Sequence, residues 1–317
     1  MDFGHDLSQA LAHNTQYGGE LSFARRQYTR SLEGADIAVV GIPFDLGTSN
    51  RPGARLGPRA IREQSSLVGC YPWGPWPWDF NVFERCRVID YSDITFLPGY
   101  TDRMLTAVDH HVGGILAAGV SVLALGGDHT VSYPLLRAHA RRHGPLSLVH
   151  FDAHSDTWDM GDDIVHGTPF FLAANEGLID PSRSIQVGIR TPHIDPPGIT
   201  VVDVDELLDQ PLGTTVERIR AVVGEHPTYL TVDIDFLDPA YAPGTGTPVV
   251  GGPTTRDARR LMQGLRGLNV VGADLVEVAP PFDSGAITAL AGATLAHDLL
   301  YLLAEGRAAR GTTSATG

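Results

Sequence analysis

The chain contains no lysine: all 23 basic residues among its 317 are arginine. That absence excludes a Walker-type phosphate-binding lysine and any lysine Schiff base. Cysteine is nearly missing too. Cys70 and Cys86 are the whole complement, too few for the disulfide framework of a small secreted scaffold, so a reducing, cytoplasmic setting is expected. No stretch reaches the roughly 18 consecutive apolar residues that a membrane span needs. The first 30 residues, which include His5, Asp6, Asn14 and Glu20, carry no apolar signal core, so neither a membrane nor export is expected. Positive charge is outnumbered by 37 acidic residues, giving a net charge of −14. That balance opposes nucleic acid as a partner and favours metal ions and small cations.

What is present is ordinary globular material, 43% hydrophobic and 19% charged, which excludes a disordered chain. Eight short apolar runs read as buried strands: 37–42, 87–91, 120–125, 146–151, 184–189, 199–202, 229–233 and 270–276. Helical patterns fall between them at about 57–65, 102–118, 132–143, 205–209, 215–223, 255–266 and 286–306. Strands alternating with helices predict a mostly parallel sheet covered on both faces, a three-layer α/β/α fold. No Gly- or Pro-rich stretch is placed to separate domains, so one domain is expected over 1–306, followed by a small-residue, mobile tail over 307–317. The Trp- and Pro-rich segment 71–78 reads as a packed surface loop.

Acidic and histidine side chains collect at the carboxyl ends of predicted strands, where open parallel sheets bind ligands. They are Asp128 and His129 after the third strand, Asp152, His154 and Asp156 after the fourth, and Asp233 and Asp235 at the seventh. Residues two apart on an extended chain project to the same side, so these groups converge. Buried together without compensation, four carboxylates would each cost several kcal/mol. Two divalent cations would neutralise Asp152, Asp156, Asp233 and Asp235, and the oxygen-rich, two-imidazole set suits ions such as Mn²⁺. His110, His111, His139, His143 and His150 lie within helices or a buried strand and read as structural, while His193 is ambiguous.

Gly126-Gly127-Asp128-His129, Asp152-Ala153-His154-Ser155-Asp156, His166-Gly167-Thr168-Pro169 and Asp233-Ile234-Asp235-Phe236-Leu237-Asp238-Pro239 resemble the signatures of the ureohydrolase (arginase) superfamily. The resemblance spans about 40–302, from Arg51-Pro52-Gly53-Ala54-Arg55-Leu56-Gly57-Pro58 to Glu277-Val278-Ala279-Pro280. Within the superfamily it is most similar to agmatinases, through Asn175-Glu176-Gly177-Leu178-Ile179-Asp180-Pro181 and Ala242-Pro243-Gly244-Thr245-Gly246-Thr247-Pro248. The resemblance implies a single domain with an eight-stranded parallel sheet and two Mn²⁺ ions. One ion would be held by His129, Asp152, Asp156 and Asp233, the other by Asp152, His154, Asp233 and Asp235. It also implies homo-oligomers, trimers or hexamers. Asp156 would relay a proton, His166 would shuttle one, and Glu277 would accept two parallel N–H bonds from a guanidinium.

The chemistry implied is release of urea from a small cationic guanidino substrate, agmatine first. The alternatives are a guanidino acid, a clavam precursor, or a metal-binding regulatory subunit with a dead site. Intact His166, Glu277 and all six expected ligands argue against the dead subunit. Agmatine is favoured by the loop between Asp156 and His166, which holds Asp159, Asp162 and Asp163 and no Arg, Lys or Asn to receive a carboxylate.

Overall fold

The computed structural model describes residues 19–68, 78–192 and 198–314, with side chains to 310. Cys70, His193 and all of segment 71–78 except Trp78 lie outside the described residues.

Among the described residues nine strands form one sheet: β1 (Gln27–Tyr28), β2 (Ile37–Gly41), β3 (Val88–Asp93), β4 (Ser121–Leu125), β5 (Ser147–Phe151), β6 (Ile185–Ile189), β7 (Thr200–Asp203), β8 (Thr228–Asp233) and β9 (Val270–Val276). Their order is β1-β3-β2-β4-β9-β8-β5-β6-β7, and every neighbouring pair is parallel. The eight expected strands are all present. The ninth, β1, is a two-residue edge strand with both residues exposed, so no apolar run marks it. A contact outside the strand secures it: Phe23 N donates to the buried Asp90 carboxylate at 2.7 Å.

The helices are α1 (Gly57–Val68), α2 (Val82–Arg85), α3 (Thr101–Ala117), α4 (Ser132–His143), α5 (Pro169–Asn175), α6 (Val204–Asp209), α7 (Leu212–Val223), α8 (Thr255–Gly264) and α9 (Ile287–Ser314). Strand alternation divides the core in two. Ile37, Val39, Leu123 and Leu125 face one apolar layer with α8 and α9, while Ala38, Val40, Val122 and Ala124 face the other with α3 and α4. Helices α2 and α5 are short and were not marked by periodicity.

Helix α9 continues past Arg307 to Ser314. Its extension is anchored by Arg307, which bonds Asp36 Oδ1 at 2.9 Å, and by Arg310, which bonds Asn269 Oδ1 at 2.9 Å. Helix α9 is also long and apolar enough over Ile287–Arg310 to cross a membrane by length and composition, although His297, Asp298, Glu305 and Arg307 interrupt its apolar run. In the fold, 83% of that apolar window is buried, as in a helix that closes a core.

Candidate active site

Four adjacent central strands, in the order β4-β9-β8-β5, deliver the site from their carboxyl ends. Strand β4 leads through Gly126-Gly127-Asp128 to His129, β5 leads to Asp152, β8 ends on Asp233, and β9 leads to Glu277. Gly127 is required here, since a Cβ on it would lie 1.6 Å from the Phe44 carbonyl oxygen. Asp156 and Glu277 both adopt positive φ, at 49° and 63°. Non-glycine residues pay for that conformation with strain, which concentrates at sites where a side chain must be aimed.

The six expected ligands come together. His129 Nδ1 lies 3.1 Å from Asp152 Oδ2, 2.9 Å from Asp156 Oδ2 and 3.3 Å from Asp233 Oδ2. His154 Nδ1 lies 3.4 Å from Asp152 Oδ1 and 3.1 Å from Asp235 Oδ2. Ligand atoms about 2.1 Å from a shared ion and at right angles to one another sit about 3 Å apart, so these spacings fit two cation sites that share Asp152.

The tautomer of His129 makes the same case. Thr231 Oγ1 donates to the buried Asp274 Oδ1 at 2.5 Å, so its oxygen is left to accept from His129 Nε2 at 2.9 Å. Ser132 Oγ and Tyr229 OH also donate to Asp274, each at 2.8 Å. In neutral His129 that leaves Nδ1 a bare lone pair, buried and facing three carboxylates. Without a cation there, burial lowers the His129 pKa, but Asp152, Asp156 and Asp233 prevail and raise it well above its usual value. A lone pair aimed at anions is repulsive unless a cation lies between them. With protons alone, the cluster must protonate itself. Burial, then Asp235 and Asp152, push the Asp233 carboxyl well above the usual carboxylate range. Burial lowers His154, but Asp235 and Asp152 prevail and raise it to about 12.

His166 and Glu277 meet beside this cluster. His166 Nδ1 lies 3.0 Å from Glu277 Oε1, which also accepts from His129 N at 3.0 Å. Glu277 Oε2 is buried and without a hydrogen-bond partner among the described residues. The carboxylate thus has one oxygen open rather than two. Burial lowers the His166 pKa, yet Glu277 outweighs it and raises the imidazole to about 9. Ser49 Oγ lies 2.8 Å from His166 Nε2. Asp128 holds the same loop by accepting from Gly47 N at 2.7 Å.

A cavity of about 640 Å³ opens onto part of the cluster and onto His166, lined by His154, Asp156, His166 and Asp233 at depth and by Leu46, Trp158, Met160 and Val165 nearer the mouth. The acidic side chains of the loop between Asp156 and His166 are not among its lining. Asp159, Asp162 and Asp163 are exposed, and the same loop presents Trp158 and Met160 to the cavity instead. Asp159 folds back to accept from Gly161 N at 3.1 Å, closing a turn. No arginine is among the described lining residues. Arg190, half-buried, is occupied by the carbonyls of Asp235, Phe236 and Val249.

His150, read from its buried strand as structural, reaches the site with Nε2 2.7 Å from Asp152 Oδ2. The signal was available: 150, 152, 154 and 156 share one parity on an extended chain. Thr231 and Asp274 were also missed. They sit inside strands whose residues are all buried, where a polar side chain among apolar neighbours is the cue.

Residues 35–301 match the family model described as "Arginase family". An agmatinase of Photorhabdus laumondii subsp. laumondii is 49% identical over 271 residues, 86% of this chain and 88% of that protein. An agmatinase of Proteus mirabilis is 51% identical over 270 residues, 85% and 88% of the two chains. Among solved structures, a hypothetical agmatinase from Burkholderia thailandensis superposes with a TM-score of 0.89 at 49% identity, covering 93% of this chain and 94% of that one. Proclavaminate amidino hydrolase from Streptomyces clavuligerus superposes with a TM-score of 0.86 at 39% identity, covering 92% and 99%. A parallel sheet ending in paired His/Asp clusters, matched by the family model over most of its length, makes this chain a member of the arginase family.

Proposed function

We propose that the chain hydrolyses agmatine to putrescine and urea at a centre of two manganese ions. The observation that carries this reading is one cavity lined by members of a cation-demanding cluster and by His166, the partner of Glu277, with no positive side chain among its described lining except histidine. A guanidinium needs an anion at its head, and a guanidino acid would need a cation for its tail. His129, Asp152, Asp156 and Asp233 would hold one ion, and Asp152, His154, Asp233 and Asp235 the other. When bound, the two ions supply four positive charges and acidify a water molecule towards a pKa of about 7.

The protein's own groups do the rest. Glu277 Oε2 receives a guanidinium N–H, which orients the central carbon towards the cluster. Asp156, fixed by its positive φ, accepts the proton released as water attacks that carbon. His166, held by Glu277, passes a proton to the departing amine as the tetrahedral carbon collapses to urea. Trp158 and Met160 cover the aliphatic tail, and the π-face and thioether tolerate a terminal ammonium where they would not stabilise a carboxylate. We further propose a cytoplasmic location and assembly as a homo-oligomer, the latter checked by sedimentation velocity. The reaction is tested by chromatographic detection of putrescine and urea in equal amounts from agmatine; urea without putrescine, or neither, contradicts it.

A further inference from the structure

We propose that His150, Gln186 and the Ser155 carbonyl form a hydrogen-bonded brace that fixes the orientation of Asp152 and ties together the two ends of the loop from Asp152 to Asp156, with His150 as a positioning residue rather than a ligand. The inference rests on the reading that this loop holds divalent cations.

A carbonyl oxygen can only accept, and the Ser155 oxygen lies 2.5 Å from Gln186 Nε2. That contact fixes which way the amide faces, because turning it would place Oε1 against another oxygen. The same Nε2 lies 2.9 Å from His150 Nδ1. Its second N–H therefore points at a ring nitrogen that must be bare. The ring proton of neutral His150 is then on Nε2, 2.7 Å from Asp152 Oδ2. The other carboxylate oxygen, Oδ1, accepts from His154 N at 2.6 Å, so Asp152 is held at both ends. Strand register brings the partners together, since His150 on β5 pairs directly with Gln186 on β6. Packing keeps the ring in place, with Phe170 at 4.4 Å and His129 at 5.1 Å between ring centroids. His150, Gln186 and Asp152 are all fully buried, so water does not compete for these bonds. The loop that carries three of the expected ligands is thus closed by its own Ser155 carbonyl through two side chains.

The test is Mn²⁺ affinity of the full-length protein, measured calorimetrically, for wild type, His150→Phe, His150→Gln and Gln186→Leu. Loss of an outer partner of a ligand costs about 10–100-fold in metal affinity. His150→Phe and Gln186→Leu should each fall in that range, and His150→Gln, whose amide can still donate to Asp152, should recover most of the loss. Gln186 touches none of the expected ligands, so its effect isolates positioning. Unchanged affinity in Gln186→Leu overturns the brace. So does an equal loss in both His150 variants with none in Gln186→Leu, because His150 would then be a ligand. ¹⁵N shifts of the His150 ring in metal-free protein, assigned by their disappearance in His150→Phe, give a readout independent of affinity. Protonation at Nε2 is expected, and protonation at Nδ1 overturns the brace. If wild type binds no Mn²⁺, the manganese reading falls and the ring shifts alone decide the brace.

Discussion

His166 Nδ1 lies 3.0 Å from Glu277 Oε1, so a proton donor and a guanidinium acceptor expected to act separately are one hydrogen-bonded pair. The pair divides the carboxylate. Against burial, Oε1 raises the His166 pKa to about 9, and Oε2 is left without a hydrogen-bond partner among the described residues. Glu277→Gln should therefore lower kcat/KM by at least about 100-fold, since it replaces a charge-assisted bond and also releases His166. The His166 titration, followed by NMR, should move down towards the ordinary value near 6.5. An unchanged kcat/KM would remove Glu277 from the site.

Removal of metal should abolish urea release and lower the melting temperature, because the buried carboxylates around His129 and His154 are then compensated by protons alone. At an Mn²⁺ concentration 100 times its Kd, the linked stabilisation is about 2.7 kcal/mol. Full activity after exhaustive chelation contradicts the binuclear reading.

The mouth of the cavity is apolar where an acidic rim was expected. Changing Asp159, Asp162 and Asp163 together to Asn should leave kcat/KM for agmatine within about 3-fold at 0.1 M salt, as exposed charges are screened over about 10 Å. Trp158→Leu should raise KM for agmatine about 5–30-fold, with a smaller change in kcat, through lost cation–π contact worth about 1–2 kcal/mol. Steady-state kinetics on the two variants separate the rim from the wall; the opposite pattern restores the acidic loop.

Acid stability should follow the buried histidines remote from the site. Burial holds His297 down to about 3 and His139 down to about 4. In the unfolded chain both bind a proton below about 6.5, while the folded state does not. Their stabilisation is thus complete above that pH and declines as pH falls, by about 1.4 kcal/mol per pH unit for each group. His297→Phe should remove one such contribution to the slope between pH 6 and 4, measured by urea unfolding at fixed pH. An unaltered slope would show that His297 is protonated in the fold.

The sheet was legible because its strands are buried on both faces and so read as continuous apolar runs. Strand β1 was not, because Gln27 and Tyr28 are only two residues, both exposed, and no apolar run marks them. The ligands could be read from parity at strand ends, since a two-residue spacing puts Asp152, His154 and Asp156 on one side. His150 obeys the same parity but was discounted for being buried, although the site is itself buried. The substrate wall was the least legible part. Whether Asp159 or Trp158 turns inward depends on the turn closed at Gly161, a choice that neighbouring residues in one loop do not announce.

The most direct test of the account is kcat/KM for urea release by the Mn²⁺-loaded protein on agmatine, arginine and 4-guanidinobutanoate measured side by side. A wall without a cation, above a glutamate that binds the guanidinium, predicts agmatine ahead of both acids by at least about 100-fold, the scale of one uncompensated buried charge. Equal or greater kcat/KM on either guanidino acid would contradict the account of substrate choice, and no urea from any of the three would contradict the reaction itself.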